Sequence, residues 1–388
     1  MKIQEIDNKY IAGAYARFPL TLTKGKGSIV WDESGREYID LVSGIAVNTF
    51  GLADGEWISA VTEQLGMLQH ASNLYYTGPA ALLAQMLCLR TGMKKVFFSN
   101  SGAEANECAI KAARKYAADK YGKDRHIIVT LQNSFHGRTI TTLAATGQSE
   151  YHNDFEPLTA GFVHTPANDA QALANLVEST PGIAAILFEP VQGEGGVLPL
   201  TPEFTSAMAD IAARRDILLL CDEIQSGNGR TGKLYGYLHY GMSPDIVTTA
   251  KGLGSGLPLG ATLFGGKTER VLTAGTHGST FGGNPVCCAG ALSILSRIDD
   301  ALLEDVRLKS DYVVGALSGA PGIRSITGLG LMLGIETEKP AGEVIAACME
   351  RGVLILKAKN KVRLLPALNI PMPLLEKAVS VILEACAG

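Results

Sequence analysis

Three ionisable residues each close a short apolar run: Glu189 in AAILFEP, Asp222 in ILLLCDE and Lys251 in DIVTTAK. Runs of this length, bounded by polar residues, read as strands covered on both faces, as in a parallel sheet. In open α/β sheets, ligands bind beyond the carboxyl ends of the strands. A lone acid or lysine at a strand end is ordinarily solvated. Three such groups delivered to one edge predict a site. Lys251 is followed by the glycine-rich GLGSG, which removes side-chain bulk beside it. An amine partly withdrawn from water is more easily neutral, and a neutral amine attacks carbonyls.

The carbonyl that suits such a lysine is a pyridoxal aldehyde, bound as a Schiff base. A pyridoxal ring needs an acid for its nitrogen, a stacking face and donors for its phosphate. Asp222, 29 residues before Lys251, can supply the acid. Phe135, in NSFHGRT just after the run HIIVTL, can supply the face. Ser101, Gly102 and Ala103 open a helix whose apolar positions Ala105, Cys108, Ala109, Ala112, Ala113, Tyr116 and Ala117 share one face. Ser101 and Glu104 have the spacing of a capping box. The free N–H groups and dipole of such a helix start favour an anion, and Gly102 lets a phosphate close in.

The elements that must position these groups follow from the hydrophobic pattern. KKVFFSN (94–100), HIIVTL (126–131), AAILFEP (184–190), ILLLCDE (217–223), DIVTTAK (245–251) and ATLFGG (261–266) read as strands. Helical stretches such as FTSAMADIAARR (204–215) lie between several of them, which argues for parallel βαβ units with helices on both faces. SIVWDESGREYIDLV (28–42) reads as a hairpin around Glu33-Ser34-Gly35. After about residue 290, helices mix with shorter strands such as VRLLP (362–366), which predicts a smaller C-terminal α/β domain.

The chain has 388 residues, 46% hydrophobic and 19% charged, with a net charge of -4. This excludes wholesale disorder and gives no basic surface for nucleic acid or anionic membrane. No apolar stretch approaches the roughly 20 residues that span a bilayer. The first residues, MKIQEIDNKYIAG, lack the apolar core of a secretory signal. The cysteines at 88, 108, 221, 287, 288, 348 and 386 form no CxxC pair and read as buried thiols in a cytoplasmic protein. No metal site is expected. A competing reading takes ATLFGGKT (261–268) as a relaxed phosphate loop of a nucleotide-binding protein. The apolar Thr262-Leu263-Phe264 is unsuited to wrapping a phosphate. GLGLMLG (328–334) fails the full GxGxxG spacing.

The motifs SNSGAEANE, NSFHGRT, EPVQGEGG, CDEIQSGNGRTG, AKGLGSGLPLG and HGSTFGGNP resemble, in order and spacing, those of the class III pyridoxal-phosphate aminotransferases, from about residue 17 to the C terminus. The resemblance implies the fold-type I architecture, with a large mostly parallel seven-stranded sheet flanked by helices and a smaller α/β domain. The implied division is residues 1–45 joining the small domain, 46–290 binding the cofactor, and 291–388 forming the small domain. It further implies a homodimer with sites at the interface.

On this basis Lys251 would bond the cofactor's aldehyde and Asp222 would face the ring nitrogen. Gln225 would face the phenolic oxygen, and Phe135 the ring. Gly102 and Ala103 would hold the phosphate, and Ser101, Glu189, Glu223 and Ile224 would complete the cofactor contacts. Thr280 would reach the phosphate of the neighbouring subunit's cofactor, with Ser279 beside the substrate. Arg138 would bind a substrate carboxylate, and Arg363 the α-carboxylate of the 2-oxo acid. Glu194 would pair with Arg363 during the donor reaction and then release it. The expected substrates are N2-acetyl-L-ornithine, giving up its δ-amino group, and 2-oxoglutarate; succinylornithine, ornithine and 4-aminobutyrate are the near alternatives. Relatives usually carry Gly-His-x-His-Pro where this chain has GLADGEW (51–57), so an altered loop is expected there.

Overall fold

Seven strands build the central sheet: β1 (Lys95–Ser99), β2 (Ile127–Leu131), β3 (Phe162–Thr165), β4 (Ile183–Phe188), β5 (Leu218–Asp222), β6 (Ile246–Thr249) and β7 (Gly260–Phe264). The computed structural model that shows this describes residues 2–387. The strand order is β1-β7-β6-β5-β4-β2-β3, with only β7 antiparallel to its neighbours. Every residue of β4, β5, β6 and β7 is buried. Their continuous apolar runs follow from cover on both faces.

Side chains alternate across a strand with a period of two. Ile186, Phe188, Leu219, Cys221 and Val247 therefore join the core on one face. Ala185, Leu187, Leu218, Leu220 and Ile246 join the core on the other, against the helix Gly102–Tyr121. That helix presents Ala105, Cys108, Ala109, Ala112, Ala113 and Ala117 to the sheet, all buried. Its small residues let the helix lie close.

A second core unites the two ends of the chain. The strand Glu37–Asp40 pairs in parallel with Val353–Leu354. Ile39 and Leu41 pack with Val344, Val379 and Ile382. Next to this, Ile323–Leu329, Met332–Thr337, Lys361–Leu364 and Leu356–Ala358 form an antiparallel sheet in that spatial order. It carries Arg363, opposite Gly334.

Three local readings meet the structure differently: one strand is missed, one cap is shifted and the rejected phosphate loop is a strand. β3 is absent from the sequence reading because it has four residues, of which His164 and Thr165 are polar and leave an apolar run of only two. The capping box at Ser101 is shifted: Ser101 Oγ accepts from the Glu104 N–H at 3.2 Å, but the Glu104 carboxylate takes the N–H of Asn100 at 2.6 Å. Residues 260–264, the core of the phosphate-loop reading, form β7, whose backbone pairs with β1 and β6 and so cannot wrap a phosphate.

Candidate active site

β4, β5 and β6 lie side by side and parallel, so Glu189, Asp222 and Lys251 emerge at one edge. A cavity of about 420 Å³ opens there. Ser101, Gly102 and Ala103 line it from the start of the helix, and Phe135 and Arg138 from the loop after β2. Glu189 lines it after β4, Asp222, Ile224 and Gln225 at the end of β5, and Lys251 after β6.

Asp222 is 3% exposed and its carboxylate is held by three donors. Oδ2 accepts from Asn106 Nδ2 at 2.7 Å and from His136 Nδ1 at 2.8 Å; Oδ1 accepts from the Ile224 N–H at 3.0 Å. Thr248 Oγ1 donates to Asn106 Oδ1 at 2.7 Å, which fixes the amide's orientation. The carboxylate accepts from Nδ1, so the network assigns the His136 proton to that nitrogen. Its Nε2 is buried with no partner among the described residues.

Lys251 sits in the left-handed region at φ 43°, a conformation that costs a non-glycine residue about 1–3 kcal/mol. Neighbouring contacts hold it there. Asn228 Nδ2 donates to Thr249 Oγ1 and to the Ala250 carbonyl, and Thr49 Oγ1 donates to the Gly252 carbonyl at 2.8 Å. Burial holds the Lys251 amine below its usual pKa of 10.5; Glu194 opposes this, and Arg363 adds to it. The amine is engaged by no hydrogen bond or ion pair among the described residues, because Glu194 is taken up by Arg363.

Glu189 accepts the N–H of Phe135 at 3.0 Å and that of Gly193 at 3.4 Å. Burial, then the neighbouring Asp222, pushes its pKa well up, which favours its neutral form. Glu194 meets Arg363 at 2.6 and 3.3 Å, and Gln225 bridges them: it donates to Glu194 at 3.2 Å and accepts from Arg363 at 3.1 Å. Burial raises the Glu194 pKa, but Arg363 more than offsets this and the carboxylate stays ionised. A Cβ on Gly193 would stand 2.2 Å from Gln225 Oε1, so the loop needs glycine for this approach.

The N–H groups of Gly102 and Ala103 find no acceptor among the described residues, as expected in the first turn of a helix. Together with the dipole of a 20-residue helix they form an anion site. A Cβ on Gly102 would lie 2.8 Å from the Ile224 side chain. Arg138 is exposed, its guanidinium 4.2 Å from the Tyr151 ring and 5.5 Å from the Phe135 ring. The cavity thus combines a partnerless amine, a fixed carboxylate, an aromatic face, an anion site and the Arg138 guanidinium, with Arg363 reached through Gln225. This donor set fits an aromatic aldehyde phosphate.

Five expected residues do not line this cavity: Glu194 and Arg363, which meet it through Gln225, and Glu223, Ser279 and Thr280. Glu223 turns beneath the sheet edge, fully buried, and accepts from Ser226 Oγ and the Tyr237 N–H, both at 2.7 Å. Ser279 and Thr280 line a separate cleft with Phe97, Glu107 and His277. Asn100 lines both spaces and donates to Ser279 Oγ at 3.2 Å. Asn106, His136, Thr248 and Tyr151 escaped the sequence reading. His136 had a signal, its place beside Phe135 in NSFHGRT; the others are single polar or aromatic residues in ordinary elements. In the altered loop, Asp54 caps the helix Gly55–Met67 and takes two bonds from Arg297 at 2.7 and 3.0 Å. Trp57 Nε1 donates to the Gly254 carbonyl in the loop after Lys251 at 3.2 Å. The segment lacking histidines is therefore tied to the lysine loop.

The family model described as Aminotransferase class-III matches residues 10–386. The acetylornithine aminotransferase of Haemophilus ducreyi is 49% identical over 385 residues, 99% of this chain and 98% of that protein. The crystal structure of the ornithine aminotransferase from Toxoplasma gondii ME49 superposes with a TM-score of 0.94 at 31% identity, covering 98% of this chain and 93% of that one. That of N-acetylornithine aminotransferase from Stenotrophomonas maltophilia K279a gives 0.85 at 33% identity, covering 98% and 97%. The chain belongs to the class III aminotransferases, and its cofactor is pyridoxal 5'-phosphate.

Proposed function

We propose that this chain transfers the δ-amino group of N2-acetyl-L-ornithine to 2-oxoglutarate, giving N-acetyl-L-glutamate 5-semialdehyde and L-glutamate, a step of arginine biosynthesis. The name carried by the relative 49% identical over nearly the whole chain supports the donor. The observation that carries the chemistry is the unengaged Lys251 amine sharing a cavity with the fixed Asp222 carboxylate.

Pyridoxal phosphate supplies an aldehyde that accepts an amino group and a ring that takes up electrons. The N–H groups of Gly102 and Ala103, with Ser101, would hold its phosphate. Asp222 would hold a proton at the ring nitrogen, and Asn106, His136 and the Ile224 N–H hold Asp222. Phe135 and Ile224 would lie against the ring and Gln225 would meet its phenolic oxygen, while Glu189 fixes the Phe135 loop. Lys251 would hold the aldehyde and would act as general base on the proton of the donor's δ-carbon, then as acid in passing that proton to the cofactor.

Arg138 binds the carboxylate far from the reacting carbon, a task suited to a planar guanidinium fork. Acetylornithine has no carboxylate at its reacting carbon, whereas 2-oxoglutarate has one. The 2.6 Å Glu194–Arg363 pair supports a switch: it masks Arg363 for the donor, and its opening frees Arg363 for the α-carboxylate of the acceptor. Ser279 and Thr280 act at the site of a second copy in a homodimer. The division at residues 1–45, 46–290 and 291–388 is part of the same reading, supported by the core that Ile39 and Leu41 share with the C-terminal elements. Seven free cysteines support a cytoplasmic setting.

A donor panel with 2-oxoglutarate as acceptor tests this. Acetylornithine should give the highest kcat/KM, at least about tenfold above ornithine and 4-aminobutyrate, the discrimination that about 1.4 kcal/mol of differential binding provides. A higher value for either rival would overturn the donor assignment.

A further inference from the structure

Arg138 is the one part of the proposed substrate site that has no polar anchor. Its guanidinium makes no hydrogen bond or ion pair among the described residues, and its side chain is exposed. It nevertheless stands over two aromatic faces, 4.2 Å from the centroid of Tyr151 and 5.5 Å from that of Phe135. Those two rings meet each other edge to face, with centroids 5.9 Å apart and planes 82° apart. The three side chains form a closed triangle. Such contacts attract a cation without using its N–H donors. A carboxylate partner would hold Arg138 too, but would occupy the fork that has to receive a substrate.

Tyr151 is well placed for this. It ends a short 3-10 turn, Ser149–Tyr151, whose base is fixed from the interior. The side chain of Gln148, 2% exposed, donates to the Ser134 carbonyl at 3.1 Å, and the Tyr151 N–H donates to the Gln148 carbonyl at 3.1 Å. His152 Nε2 meets the Thr146 carbonyl at 2.8 Å on the other side. Ser134 and Phe135 are adjacent, so the turn carrying Tyr151 and the loop carrying Phe135 and Arg138 are fastened together. The Tyr151 hydroxyl has no hydrogen bond among the described residues, so the ring face is what the residue contributes.

We propose that Tyr151 is a positioning residue that holds the Arg138 guanidinium by its ring face, with all five N–H donors free, and so sets the affinity for the carboxylate remote from the reacting carbon. The proposal rests on the role given above to Arg138. It applies to both half-reactions, because the donor and the acceptor each present such a carboxylate.

The test uses the holoenzyme with Tyr151→Phe, Tyr151→Leu, Arg138→Ala and the double variant Tyr151→Leu/Arg138→Ala. Kinetics with acetylornithine and 2-oxoglutarate are joined by calorimetric titration with glutarate, a dicarboxylate that cannot react. Tyr151→Phe keeps the face and should match wild type. Tyr151→Leu should raise both KM values and the glutarate Kd by about three- to tenfold, with kcat within about twofold, the scale of one cation–π contact. Tyr151→Leu should add nothing once Arg138 is alanine. A loss in Tyr151→Phe equal to that in Tyr151→Leu, or additive losses in the double variant, would overturn the proposal. So would wild-type glutarate binding by Tyr151→Leu. If Arg138→Ala itself leaves KM and glutarate binding unchanged, the assignment of Arg138 fails, and that result differs from Arg138→Ala being defective while Tyr151→Leu is normal.

Discussion

Replacing Glu194 by glutamine tests the switch most directly. The pair it forms with Arg363 spans 2.6 Å, Arg363 is only 3% exposed, and its Nε has no partner among the described residues. Two unit charges at that distance attract by roughly 6 kcal/mol at an effective dielectric of 20. Dehydration of both ions cancels much of this. A net of about 1.5–3 kcal/mol remains, the usual worth of a hydrogen bond between charged groups. Glutamine is nearly isosteric and can still accept from Gln225 and Arg363, so the variant removes charge and leaves shape. Arg363 is then available from the start to an α-carboxylate. The assay is single-turnover absorbance of the holoenzyme with each donor alone. The ratio of kcat/KM for L-glutamate over acetylornithine should rise by about 10- to 100-fold, the factor that this energy represents. An unchanged ratio, with both donors weakened alike, would show that Glu194 does not mask Arg363 and would refute the switch.

Lys251→Ala should keep measurable cofactor affinity through the phosphate and ring contacts while losing about a thousandfold or more in turnover, the scale of general acid–base catalysis; near-normal turnover would remove Lys251 from its role. Gly102→Ala places a methyl 2.8 Å from Ile224, so Ile224, which lines the cavity, must shift. Its dissociation constant for pyridoxal phosphate, measured by fluorescence, should rise about tenfold, a loss of about 1.4 kcal/mol; an unchanged constant would show the helix start to be uninvolved. Burial pushes Glu223 up from 4.5 to about 7. The folded protein then binds more protons than the unfolded chain between these values, so this group's stabilising contribution is full below 4.5 and is lost as pH rises through 7. Glu223→Gln should remove a loss of about 3 kcal/mol over that window, read as the difference between denaturation midpoints of wild type and variant against pH; parallel profiles would contradict the assigned burial cost.

The chain alone determined the strands and the groups at their ends. β2, β4, β5, β6 and β7 are legible because each is a largely buried apolar run, and that cover leaves a mark in local composition; β1, at one edge, is legible from its apolar Val96-Phe97-Phe98. The exception, β3, lies at the other edge and is only four residues long, with the polar His164 and Thr165 cutting its apolar run to two residues. Glu189, Asp222 and Lys251 are legible for the same reason: they are charges where burial should end. Gly102 and Ser101 are legible because helix starts have local chemistry.

What only the folded structure decided is direction and meeting. Asp222 and Glu223 are neighbours in the chain, but successive side chains of an extended backbone point to opposite sides, so one enters the cavity and the other is buried beneath it. Nothing in ILLLCDE says which, since the answer depends on which face of the sheet the rest of the chain covers. Asn106 reaches Asp222 across 116 positions, and Arg363 reaches Gln225 across 138. Tyr151 finds Arg138 through a turn anchored on Gln148. Contacts of this kind leave no periodicity, because each partner lies in an element whose pattern is set by other neighbours. The sheet edge could be read from composition; the orientation of each side chain along it depended on the packing of the whole molecule.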